Sequence, residues 1–184
     1  MRQIFISLIR PHMDYCAQLW APSEGPMLDK LEKILYDYTK YVPEISSLSY
    51  ENRLKAIKLQ SVQRRYDRYR ILYTRKCALD IVPNCNITIR RDITHRNGTI
   101  MNVPPLKGMS KLRRDCFMVR GPELFNCILS YLLDTNVSMD TFKTKLDEFF
   151  TLIPDSPRID AGPKLHSNEL DFAIKKWTWL LGCD

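Results

Sequence analysis

Apolar side chains recur at three- and four-residue spacing along most of this chain, and that period commits it to packed helices. The cleanest case is Leu28, Leu31, Ile34, Leu35 and Tyr38, with Asp29, Lys30, Glu32 and Lys33 placed outward, in a helix that should end before Pro43. Ile4, Phe5, Leu8 and Ile9 make a stripe that stops before Pro11, which opens a second helix carrying Met13, Cys16, Leu19 and Trp20. Ala-Pro-Ser-Glu-Gly-Pro breaks the chain at 21–26. Ser49 reads as the N-cap of a short helix with Leu54 and Ile57 inward, and Ser61 as the cap of the next. Helical patterning returns over 111–118, 122–133, 138–150 and 167–181.

Two short segments break this period. Asn86-Ile-Thr-Ile-Arg and Thr99-Ile-Met-Asn-Val alternate as strands do, and Asn97-Gly98 between them is a hairpin turn signal. The expected fold is therefore mainly α with a small β-hairpin at about 86–103. Pro154, Pro157, Gly162 and Pro163 make 151–166 a linker before a terminal helix over 167–184.

Charge locates the candidate function. The chain carries +7 overall, but residues 1–60, 61–120 and 121–184 contribute +1, +10 and −4. A central basic block with an acidic tail points to a local phosphate footprint. Its centre is a helix from Val62 to about Leu79, with Val62, Tyr66, Tyr69, Leu72, Tyr73 and Cys77 near one face and Arg64, Arg65, Arg68, Arg75 and Lys76 elsewhere. Two readings of the arginines stand side by side: guanidinium forks for phosphate oxygens, or a solvated helix face. The tyrosines offer stacking or, by their helical spacing, core. Lys107, Lys111, Arg113, Arg114 and Arg120 form a second cluster, and Arg90, Arg91 and Arg96 flank the hairpin.

Catalytic and metal patterns are not legible. His12, His95 and His166 stand far apart, and Cys16, Cys77, Cys85, Cys116, Cys127 and Cys183 form no C-x-x-C pair. No phosphate-cradling glycine loop occurs, and no aspartates stand close together as a two-metal polymerase site requires. The cysteines read as reduced thiols, and the N-terminus lacks a signal peptide, so a nuclear or cytoplasmic, non-secreted chain is expected. The sequons at Asn86, Asn97 and Asn136 are then chance matches. No apolar run approaches the length of a membrane span.

One segment has a specific look. Ser7-Leu-Ile-Arg-Pro-His-Met-Asp-Tyr-Cys-Ala-Gln-Leu-Trp-Ala-Pro22 resembles the "SLVRPHLEYCxxxWxP" segment that follows the palm in jockey-like LINE reverse transcriptases, at Arg10, Pro11, His12, Tyr15, Cys16, Trp20 and Pro22. Similarity continues in order. Leu28 to Tyr41 is similar to "LEKVQRRFTRxI", Leu48 to Leu54 to "LSYEERL", and Leu59 to Arg65 to "LxSLExRR". Arg114 to Asn126 resembles "RxxFFxxRxxxxWNxLP", with Phe125 in place of Trp before Asn126, and Ser138 to Leu146 resembles "SxxxFKxxLD".

The likeness covers roughly residues 4 to 150. It implies thumb-like helices over 1–60 that grip an RNA/DNA template–primer by its backbone, and a region over 61–150 with the basic helix, the hairpin and C-terminal helices. The catalytic "F/YADD" motif is absent from the chain, so the resemblance implies a nucleic-acid-binding fragment that does not polymerise by itself. Magnesium and the palm would belong to a longer parent polymerase. A degenerate or domesticated remnant acting as a helical protein-interaction module is the alternative.

Overall fold

Proline placement and a buried carboxylate, more than the apolar stripes, decide how the helices begin and pack. A computed structural model describes residues 2–23, 25–83, 89–90, 100–101, 107–128, 137–155 and 157. They are mainly helical and fall into two compact units, one running to Tyr66 together with Asp155, the other from Asp67 to Pro154. The boundary between them lies inside a helix, between Tyr66 and Asp67.

In the first unit, α1 (Arg2–Ile4) runs through a π-helical stretch (Phe5–Ile9) into α2 (Arg10–Asp14) without a stop at Pro11. A proline ring collides with the carbonyl four residues back, and a widened π turn just before it makes room. The widening also shifts the helical phase. Of the expected stripe only Phe5 is buried, while Ile4 and Leu8 face outward. Cys16, left-handed at φ 51°, turns the chain into α3 (Ala17–Trp20).

Gly25 at φ 98° and Pro26 then start α4 (Pro26–Lys40). Its buried positions are Leu28, Glu32, Leu35 and Thr39, so Glu32 points inward and Ile34 outward, against the expectation for both. The next helix, α5 (Tyr50–Ala56), is capped by Ser49, whose Oγ accepts from the Asn52 N–H at 3.5 Å.

Glu32 is inside because it joins three elements. Its Oε1 accepts from the Tyr50 hydroxyl of α5 at 2.5 Å, and its Oε2 accepts the Val62 N–H at 2.8 Å, at the first turn of α6 (Val62–Ala78). Ser61 completes that N-terminus as expected. Its Oγ accepts the Arg64 N–H, while its own N–H and hydroxyl donate to Asp155 at 2.8 and 2.7 Å. Two carboxylates thus take up donors that a helix start leaves orphaned.

The second unit packs the later turns of α6 against α8 (Phe117–Asn126) and α9 (Met139–Leu152), around Ile71, Phe117, Leu124, Phe125, Phe142, Leu146, Phe149 and Phe150. Ser138 caps α9. The short α7 (Lys111–Asp115) ends at Cys116, whose extended ψ of 140° separates it from α8. That helix starts at Phe117 and not at Pro122, which lies buried in its interior. Gly121 permits the close approach of α8 to α6, since a Cβ there would lie 2.6 Å from Thr74 Oγ1 and 2.8 Å from the Phe117 ring.

The small hairpin is not seen as an extended element. Among the described residues it reduces to β1 (Ile89–Arg90) antiparallel to β2 (Ile100–Met101), too short a pairing to stand by itself. Asn97-Gly98, the sequons and the helix expected over 167–184 lie outside the described residues. The expected linker is packed at its start: Ile153 and Pro157 are buried, and Asp155 holds Ser61. No described helix is long and apolar enough to cross a membrane.

Burial lifts the Glu32 carboxyl from 4.5 to about 7, against the hydrogen bonds from Tyr50 and Val62, which favour the anion. The folded state therefore keeps a proton that the unfolded chain releases near 4.5, so this group's contribution to stability is lost as pH rises from about 4.5 to 7. The full effect is roughly 3 kcal/mol. Glu32→Gln, permanently neutral, should flatten that part of the melting temperature's pH profile relative to the parent chain. Parallel profiles over the interval would show that Glu32 does not titrate there.

Candidate nucleic-acid interface

The basic helix spends its charge on the protein itself. Arg65 is buried and its Nε lies 2.9 Å from Asp14 Oδ1; Arg64, with only 10% of its side chain exposed, has its Nε 3.5 Å from Asp155. Further along, Arg68 makes a two-pronged pair with Asp147, and Arg70 is buried 3.2 Å from Asp67. Burial pulls the Arg70 guanidinium below its usual value, which Asp67 opposes. Arg75 is buried, donates to the Val137 carbonyl at 2.6 Å, and lies 4.3 Å from the centre of the Phe142 ring. Lys76 is half-buried.

α6 is therefore buried on most of its circumference, and the single apolar face expected from its spacing is not what packs. Tyr66 is fully buried, but Tyr69, Leu72 and Tyr73 are only partly so, while Arg65, Asp67, Arg70 and Arg75 are inside. Ion pairing removes the main cost of putting guanidinium groups there. As phosphate contacts, Arg65 and Arg75 are out of reach in this arrangement, and Arg64 and Arg68 are already paired.

The motif residues near the N-terminus hold the same helix. Asp14 accepts from Arg10 Nε at 2.9 Å as well as from Arg65, so one carboxylate ties α2 to α6. The Tyr66 hydroxyl donates to the Met13 carbonyl at 2.9 Å, and Trp20 meets the Tyr66 ring edge-on while its indole N–H donates to the Tyr15 carbonyl at 2.6 Å. Pro11, His12 and Tyr15 are exposed, and Cys16 and Pro22 half-buried. Phe125 belongs to the core of the second unit, and Asn126 is half-buried.

The second basic cluster has the opposite character. Lys107, Lys111, Arg113 and Arg114 are all exposed on α7 and the turn before it, with Leu112 86% exposed among them. Ser110 caps the helix, accepting the Arg113 N–H at 3.4 Å, and no acid occurs from Lys107 to Arg114. Arg120 is half-buried and lies 3.5 Å from Glu123. Arg90 lies in β1, and Arg91 lies outside the described residues. The two basic clusters look alike in the sequence, because Asp14, Asp147 and Asp155, which set α6 apart, are far away in the chain.

Among the described residues, no group of three or more His, Cys, Asp or Glu stands close enough to hold a metal ion. Cys16, Cys77, Cys116 and Cys127 are thiols outside any disulfide.

The Asp14 bridge has a measurable consequence. Asp14→Ala leaves Arg65 buried without its carboxylate and should cost about 3 kcal/mol in urea unfolding. In an Arg65→Met background the same change should cost much less, because no buried charge is stranded. Equal costs in the two backgrounds would mean that the pair is not coupled. No family model, curated protein or solved structure matches this chain.

Proposed function

We propose that this chain is the nucleic-acid-binding C-terminal part of a LINE-type RNA-directed DNA polymerase, lacking the polymerase active site, and that it grips the phosphate backbone through α7. The observation that carries the reading is the exposed, acid-free run from Lys107 to Arg114 with its four cations. Exposed cations of that kind suit sequence-independent phosphate neutralisation, which needs charge at the surface rather than a shaped pocket. The ordered resemblance over roughly residues 4 to 150 supplies the polymerase context. In this reading the arginines of α6 are architecture that holds the fold, and the partner is an RNA/DNA template–primer.

The internal pairing of α6 favours a second reading. Asp155, Asp14 and Asp147, all outside residues 61–120, pair with Arg64, Arg65 and Arg68, which leaves less basic surface than the sequence suggests and suits a helical protein-interaction module.

Replacing Lys107, Lys111, Arg113 and Arg114 by Gln separates the two. If all four contact phosphate, affinity for a primed RNA/DNA duplex should fall regardless of sequence, and the slope of log K against log salt should flatten by about 3 units. A folded variant with unchanged affinity and slope would move the interaction module ahead.

A further inference from the structure

Tyr36 on α4 stands between two cations that no described carboxylate answers. Lys40 Nζ and the Arg53 guanidinium each lie 4.8 Å from the centre of its ring, and Arg53 is also 5.5 Å from that of Tyr50. Arg53 is 3% exposed. Its Nε donates to Thr39 Oγ1 at 3.1 Å and its Nη1 to the Leu48 carbonyl at 3.0 Å, both neutral acceptors. Its Nη2 is buried with no hydrogen-bond partner among the described residues.

That sets Arg53 apart from Arg65 and Arg70, the buried arginines that face Asp14 and Asp67. A buried guanidinium with only neutral acceptors and two tyrosine ring faces around it carries a positive charge that no described carboxylate balances. The surroundings already favour negative charge on the Tyr36 oxygen: Lys40, then Arg53, holds its phenol below the ordinary tyrosine range.

We propose that Tyr36, Lys40 and Arg53 form a binding site for a phosphoryl dianion at the junction of α4 and α5. The Tyr36 hydroxyl and Lys40 Nζ donate to its oxygens. Arg53, too enclosed to touch it, supplies a fixed counter-charge behind the tyrosine. Two positive charges with no acid partner among the described residues match the near-dianionic charge of a phosphate monoester or free phosphate at neutral pH, and a doubly charged guest is favoured over a carboxylate on that ground. The site stands independently of α7.

The test is thermal unfolding of the full chain at constant ionic strength, with inorganic phosphate in one arm and a 5′-phosphorylated dinucleotide in the other. Both arms use the chain carrying the four Gln substitutions in α7, so that binding there does not contribute. At least one ligand should raise the melting temperature by roughly 2–4 °C once several-fold above its dissociation constant. A rise with inorganic phosphate identifies free phosphate as sufficient; a rise with the dinucleotide alone identifies a nucleic-acid terminus. The double variant Tyr36→Phe, Lys40→Ala, which keeps the aromatic packing on Tyr50 and alters only partly exposed atoms, should melt normally without ligand and lose the rise. No rise with either ligand, or a rise that the double variant retains, overturns the site.

Discussion

Carboxylates from distant parts of the chain answer Arg65 and Arg68 on α6, and the packing against that helix within each unit depends on this. Asp14 reaches Arg65 across 51 residues of sequence and Asp147 reaches Arg68 across 79. Each pair draws another helix to α6, so the pairs set which helices are neighbours as well as balancing charge. Without them the helix would bring into the interior charges that cost several kcal/mol each. Glu32 and Asp155 act similarly at its N-terminus, where the helix dipole and orphaned N–H groups favour negative charge.

This redistribution changes where an anionic partner can bind. Counted along the sequence, residues 61–120 form one basic block; among its described residues, the cations of α6 are paired internally and those of Lys107–Arg114 are exposed. Exposed cations contribute to association through long-range attraction and counter-ion release, whereas buried pairs contribute mostly to architecture. The Arg-Pro-His segment belongs on the architectural side too, since its Arg10 and the neighbouring Asp14 and Met13 hold α6 in place.

Much of the helical class was legible in the sequence because apolar spacing and caps are local signals. Ser49 and Ser61 both cap the helices expected of them. What was not legible depended on partners far away in sequence. Glu32 looks like an outward charge until Tyr50 and the Val62 N–H are placed around it. Arg65 and Arg75 look like surface cations until Asp14 and the Phe142 ring enclose them. Pro11 and Pro122 look like helix boundaries, yet a π turn accommodates the first and the second is buried within α8. On the candidate interface, exposure separates α7 from α6, and composition alone carries no information about exposure.

The most direct test of the division between architecture and interface is NMR of the arginine Nε–H groups, followed through hydrogen exchange and through addition of a primed RNA/DNA duplex. The account predicts slow exchange and unmoved resonances for Arg65, Arg70 and Arg75, with rapid exchange and duplex-dependent shifts for Arg113 and Arg114. Fast exchange at the α6 arginines, or shifts there on adding duplex while Arg113 and Arg114 stay unchanged, would contradict it.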